Sequence, residues 1–243
     1  MRTSNKILLS LLLTTILLFA SLFLAVRVKF ANGNMVERKD VVNPWSDEYK
    51  IKEEIKSVSI SGQMDMVIIP SDSVKIVIGK MGDSLVRYRI KDGVLVIDMD
   101  TAKIHPNQNG ETVVVFNHIE LFLPNVDSIH VANSRLQFRR VMTSAPIKPV
   151  YNFELKNTTL TVEQDYRNTS PTFYDSIRIN AGPSSEVFFN GHTNIGSASI
   201  KLKGAKFDDM DARFDKLSIQ ADSLSSIKLK GYNLRKATIT STD

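Results

Sequence analysis

From Ile55 onward the chain alternates apolar and polar residues in short runs. Val58-x-Ile60, Met64-x-Met66-x-Ile68, Val74-x-Ile76-x-Ile78, Val86-x-Tyr88-x-Ile90, Val94-x-Val96, Val113-x-Val115 and Ile119-x-Leu121-x-Leu123 all repeat at every second residue. A period of two puts one set of side chains on one face, the pattern of half-buried strands, and Gly, Pro, Asn, Asp and Ser bound the runs. Lys91-Asp92-Gly93-Val94 lies between two of them. Asp-Gly accepts the positive φ of a tight hairpin turn, so this is a predicted hairpin. No stretch of the body carries a helical period, and the pattern predicts an all-β domain.

The second half repeats. IHVANSRLQF (129–138) and FELKNTTLTV (153–162) share the order apolar-x-apolar-x-Asn-x-x-Leu-x-apolar. Aligning the first apolar pair of each unit gives Ile129/Val131, Phe153/Leu155, Ile177/Ile179, Ile200/Leu202, Leu217/Ile219 and Ala237/Ile239, at intervals of 24, 24, 23, 17 and 20 residues. Recurrence on this scale signals stacked units, each of which covers its apolar face only with the next. The expected architecture is a single-stranded right-handed β-helix or solenoid over residues 55–243, with strands or an antiparallel cap at 55–125 and repeating coils at 126–243. Asn133, Asn157 and Gly204 fall where the chain must turn between strands, and Asn and Gly tolerate the left-handed region. The residues between the apolar pairs form a predicted outer face: His130, Glu154, Arg178, Lys201, Ser218 and Thr238. The first four are candidate binding residues. In this register Glu154 lies beside both His130 and Arg178, roughly 4.8 Å from each, rung to rung.

The N-terminal part reads differently. Residues 1–6 are a short basic head, and Ile7–Val26 is a run of 20 residues without a charge. At about 1.5 Å per residue a helix of that length matches the hydrocarbon thickness of a bilayer. The apolar core of a cleavable signal is shorter, and the nearest small-residue site, Ala31-Asn32-Gly33, follows Arg27 and Lys29. The expectation is therefore an uncleaved single-pass anchor with the C-terminal domain periplasmic or extracellular, the alternative being a secreted form after signal cleavage. Residues 27–54 read as a polar link, with Trp45 either at a membrane interface or packed on the first strands.

Charge and cysteine narrow the functions. Residues 1–44 carry six Lys/Arg against Glu37 and Asp40, so the +5 of the whole chain leaves the other 199 residues at only +1. A nearly neutral body lacks the basic face that neutralises phosphates, which argues against nucleic acid as a partner. With no cysteine, disulfides, thiolate catalysis and Cys-ligated zinc are excluded. His105, His118, His130 and His192 are scattered, and His118-x-Glu120 supplies two ligands without a third. Asp208, Asp209 and Asp211 form the one acidic cluster with metal or acid/base potential, against a reading as a solvated turn. Arg139-Arg140 is a charged strand edge or an acidic-sugar contact. Asp-Ser/Thr-apolar triplets recur at 72, 83, 100, 127, 175 and 222, reading as turns before strands or as O-glycan acceptors. Asn157-Thr158-Thr159 and Asn168-Thr169-Ser170 match the N-glycan acceptor, which matters only in a eukaryotic secretory host.

Three stretches carry a family resemblance: VSISGQMDMVIIPSDSVKIVIG (58–79), GVLVIDMD (93–100) and IELFLPNVDSIHVANSRL (119–136). Over roughly residues 55–240 the chain resembles the "putative auto-transporter adhesin, head GIN domain" family of bacterial envelope proteins. It departs at Asn133-Ser134, where many relatives carry glycine, and at Gln63-Met64. The resemblance implies an exported β-helical domain with an adhesive role. The expected function is a non-catalytic, membrane-anchored envelope module with a structural, adhesion-like, glycan-binding or protein-binding role and no cofactor. The alternatives are a polysaccharide-acting β-helix enzyme and an inner-membrane-associated scaffold.

Overall fold

The computed structural model describes residues 14–15, 17–19, 21, 45–79, 85–99, 118–124, 126–139, 150–163, 172–191 and 193–242. Residues 1–42 and 43–243 are separate compact units. In the first, Thr14, Thr15, Leu17–Phe19 and Ser21 are helical; the rest of the expected anchor, 7–26, lies outside the described residues. Among the described residues no helix is long and apolar enough to cross a membrane, so the single-pass anchor drawn from 7–26 is not supported.

The second unit holds eighteen strands. They are β1 (Ser46–Ile51), β2 (Ser57–Ser61), β3 (Asp65–Pro70), β4 (Val74–Gly79), β5 (Val86–Lys91), β6 (Val94–Met99), β7 (His118–Leu123), β8 (Ser128–Ala132) and β9 (Arg135–Arg139). The remainder are β10 (Val150–Lys156), β11 (Thr159–Glu163), β12 (Thr172–Ala181), β13 (Glu186–Phe189), β14 (Thr193–Leu202), β15 (Lys206–Asp208), β16 (Arg213–Ala221), β17 (Ser226–Lys228) and β18 (Ala237–Ser241). A one-turn helix α1 (Gly231–Leu234) precedes β18. The stretch read as a polar link thus contributes β1, and Trp45 just before it is 80% exposed rather than packed on the strands.

The strands form two nine-stranded sheets, ordered β1-β4-β7-β3-β9-β11-β13-β15-β17 and β18-β16-β14-β12-β10-β8-β2-β6-β5. Both are mixed: β1–β4, β4–β7 and β5–β6 pair antiparallel, and the remaining pairs are parallel. This replaces the expected single-stranded right-handed β-helix. All-β character follows from the alternation, but which sheet a strand joins does not. β2 inserts between β6 and β8, and β3 between β7 and β9, pairings that the hydrophobic period does not encode.

The predicted hairpin joins β5 and β6, with Asp92 at φ 53° and Gly93 at φ 76°, the two positive values a type I′ turn requires. The core is built from the inward residues of both sheets. One row across the second sheet runs Val58, Ile129, Phe153, Ile179, Ile200, Ile219, Ile239. All but Ile239, on the edge strand, are buried to within 1%. Phe138 packs against Tyr151, Phe153 and Tyr174 with ring centroids 4.6–5.3 Å apart, so the aromatic residues fill the widest part of the interior.

The register of β10 on β12 differs from the expected one. Phe153 lies opposite Ile179, not Ile177, so the interval is 26 residues rather than 24. A two-residue slip keeps every side chain on its own face, and Tyr174, Ile177, Ile179 and Ala181 are all inward, so alternation alone could not choose. Length supplies the reason: the corners after β8 and β10 take two residues, Asn133-Ser134 and Asn157-Thr158, whereas Gly182–Ser185 takes four.

Candidate functional site

The corners between the sheets explain the predicted turn residues. Asn133 has φ 56°, Asn157 φ 48° and Gly204 φ 59°, all in the left-handed region. Asn157 Nδ2 donates to Asn133 Oδ1 at 2.9 Å, so the amides form a ladder along the stack. The residue after each Asn turns its hydroxyl inward: Ser134 Oγ donates to Gly62 O at 2.6 Å, and Thr158 Oγ1 bonds Lys156 O and Val131 O. These groups satisfy backbone carbonyls where the strand ladder is interrupted. Their role is structural.

The acidic cluster is likewise committed. Asp208 meets Lys228 at 2.8 Å and accepts the Met210 N–H; the Lys228 hydrogen bond holds its carboxyl below the usual range, against a smaller opposing effect of burial. Asp209 is fully buried, and its Oδ2 accepts from the Lys230 backbone N–H at 2.8 Å and from Asn233 Nδ2 at 2.7 Å, tying α1 to the preceding layer. Asp211 lies 3.5 Å from Lys230 Nζ. Lysines of the next strand therefore neutralise two of the three, and the third is a buried anchor. Among the described residues no three His, Cys, Asp or Glu side chains converge as metal ligands.

Other candidates sort similarly. Arg139 bonds Glu163 at 3.1 Å and Gln137 at 3.0 Å; Arg140, His105, His192 and the side chain of His118 lie outside the described set. Asp72-Ser73 precedes β4 and Asp127-Ser128 opens β8, but Asp175-Ser176 lies inside β12 and Asp222-Ser223 in the corner after β16. Asp222 works there as a cap. The Ser225 hydroxyl at 2.6 Å, then the Gly204 N–H at 3.0 Å, pull its pKa down. The triplets at 83 and 100 and the Asn168 acceptor are outside the described residues.

One outward surface remains. Across the second sheet the register sets Ser59, His130, Glu154, Asn180, Lys201, Gln220 and Thr240 side by side. A trough of about 570 Å³ lies over this row and the next one, spanning β2, β8, β10, β12 and β14. His130, Glu154 and Lys201 line it, and so do Asn180, Lys156, Gly182 and Lys203, which sequence reasoning missed. Arg178 does not: it is set opposite Asn152 and Ser199, two residues along the strand. His130 Nδ1 lies 3.1 Å from Glu154 Oε2, with Ser128 Oγ 3.0 Å from Nε2, and both members of the pair are about half exposed. Lys156 and Asn180 could have been found from the outward parity of their strands once the 26-residue interval was known.

No family model matches the chain, and no curated protein shows significant similarity to it. Solved structures do. A "putative adhesin" from Bacteroides fragilis is 12% identical, with a TM-score of 0.40, covering 81% of this chain and 95% of its own. A "putative lipid binding protein" from Parabacteroides distasonis is 10% identical, with a TM-score of 0.41, covering 83% and 98%. A "putative cell adhesion protein" from Clostridium sporogenes is 10% identical, with a TM-score of 0.35, covering 81% and 99%. The chain is similar to proteins named as adhesins, and the head GIN family itself is not confirmed by a matching model. At these scores the likeness says nothing about what this chain binds.

Proposed function

We propose that the chain is a non-catalytic binding module of the adhesin kind, working through the trough on the outward face of the β18-to-β5 sheet. The observation that carries this reading is the trough itself: exposed His130, Glu154, Asn180 and Lys201 set across four adjacent parallel strands on a closely packed core. Parallel strands hold these side chains at fixed spacings of about 4.8 Å, so the surface is preorganised for an extended ligand. The acidic cluster that an enzymatic reading needs is spent on Lys228, Lys230 and α1. The resemblance of residues 58–79, 93–100 and 119–136 to the head GIN family supports membership of that family. The basic, apolar leader at 1–26 supports action outside the cytoplasm.

The test is a binding screen of the full chain against neutral and acidic glycans and envelope extracts, beside a variant carrying His130→Ala, Glu154→Ala and Asn180→Ala. The reading expects at least one ligand whose binding falls more than tenfold in the variant. Release of shortened products from any glycan, or binding indifferent to all three substitutions, contradicts it.

A further inference from the structure

Within the trough the side chains are not evenly distributed. β10, β12 and β14 run parallel, with Leu155 opposite Ala181 and Ala181 opposite Leu202. The backbone pairing continues one residue further, where Gly182 N donates to Leu155 O at 2.8 Å and Lys203 N to Ala181 O at 2.9 Å. The next outward row therefore reads Lys156, Gly182, Lys203. Two ammonium groups flank a position with no side chain, on strands whose backbones stand roughly 10 Å apart, two steps of about 4.8 Å. Asn180 precedes the glycine on the same face, and Lys201 precedes Lys203. All four polar side chains are exposed.

The result is a notch rather than a patch. A side chain at 182 is disfavoured, since a Cβ there stands 3.0 Å from Leu155 O. The floor therefore stays open backbone. Glu154 is the one carboxylate among the lining residues, and His130 engages it on the side away from Asn180. Three lysines are left around the notch, and no acid lines it to neutralise them.

Resting on the reading of the trough as the working surface, we propose that it takes an acidic polysaccharide. One anionic sugar substituent sits over Gly182 between Lys156 and Lys203, and neighbouring hydroxyls meet Asn180 and Ser61. Carboxylate and sulfate share the required chemistry: compact charge with several acceptor oxygens for ammonium donors. A polymer fits better than an anionic membrane. The trough is concave and its lining side chains are Ser, Asn, Lys, His and Glu with a single Ala, whereas a membrane-seated surface presents exposed apolar groups.

The experiment is calorimetric titration of the full chain with polygalacturonate and hyaluronate, with a sulfated polymer to separate the two anion sources, and with the fully methyl-esterified galacturonan as the uncharged control. Vesicles containing an anionic lipid form a separate arm. The variants are Lys156→Gln, Lys203→Gln, the double variant, and Lys156→Arg/Lys203→Arg. An exposed ion pair at the upper end of its range gives up to roughly 5-fold per lysine and roughly 25-fold for the pair. Binding of an acidic polymer with those losses, retention in the arginine variant and none on the esterified polymer supports the proposal. Equal binding of esterified and acidic polymers, or glutamine variants that bind as well as the parent, overturns the anionic notch while leaving the trough as a binding surface. Silence toward every glycan in this titration and in the screen overturns both, and binding confined to vesicles assigns the lysines to a membrane and overturns the polysaccharide. Melting curves report whether each variant folds. On the unmutated chain, binding that does not weaken between 50 and 200 mM salt also counts against the notch.

Discussion

Replacing Asn157 with Ala tests the corner design directly. Asn157 holds φ at 48° and donates to Asn133 Oδ1 across the layers at 2.9 Å. Ala loses the tolerance for the left-handed region, about 1 kcal/mol at a single residue. It also loses an exposed side-chain hydrogen bond worth about 0.5–1 kcal/mol. The sum is about 1.5–2 kcal/mol, which for a unit of this size lowers Tm by about 3–8 °C. Gly at the same position keeps the backbone geometry and loses only the bond, at a further small entropic cost, so Asn157→Gly lands between parent and Ala. Because Asn133→Ala removes the other half of the same bond, the double alanine variant falls short of additivity by about 0.5–1 kcal/mol. Urea unfolding followed by far-ultraviolet circular dichroism gives all four free energies. Asn157→Ala as stable as Asn157→Gly, or strict additivity of the two alanine substitutions, refutes the ladder.

Four further outcomes follow from the same coordinates. Gly204→Ala places a Cβ at φ 59° with no contact nearer than 3.8 Å, so its loss of about 1–2 kcal/mol in urea is purely conformational. Asp209→Ala releases the Lys230 N–H and Asn233 Nδ2 and costs about 3 kcal/mol, detected as early exchange of amides in 230–241. Asp208 and Asp222 have folded pKa values below 3.8, so their stabilisation is complete above that pH and disappears as pH falls through the lowered values. Acid titration of melting temperature should show a shallower decline between pH 4 and 2 in Asp222→Asn than in the parent. Because the chain has no cysteine, Glu154→Cys/Asn180→Cys should close a disulfide between directly opposed positions, whereas Glu154→Cys/Arg178→Cys should stay reduced on non-reducing gels.

Local chemistry was legible in the sequence where a single residue decides it. Asp92-Gly93 specified its turn, and Asn133, Asn157 and Gly204 sit where backbone geometry demands left-handed residues. The pairing of His130 with Glu154 also followed from the 24-residue interval. Arg178 was misplaced because alternation is blind to slips of two, and only the longer Gly182–Ser185 corner sets the offset. The architecture was misread because hydrophobic period reports burial and not partnership. Nothing in Met64-x-Met66-x-Ile68 indicates that β3 lies between β7 and β9. The notch at Lys156, Gly182 and Lys203 was invisible for the same reason, being a property of three strands in register rather than of any one.

Mass-spectrometric hydrogen exchange on the full chain, with and without a ligand identified in the glycan screen, tests the account most directly. Protection concentrated in peptides covering 57–61, 128–132, 152–156, 178–182 and 199–203 is the predicted result, because these five segments are distant in sequence and adjacent only across the trough. Protection confined to the opposite sheet or to the 206–234 region, with those five unchanged, contradicts it.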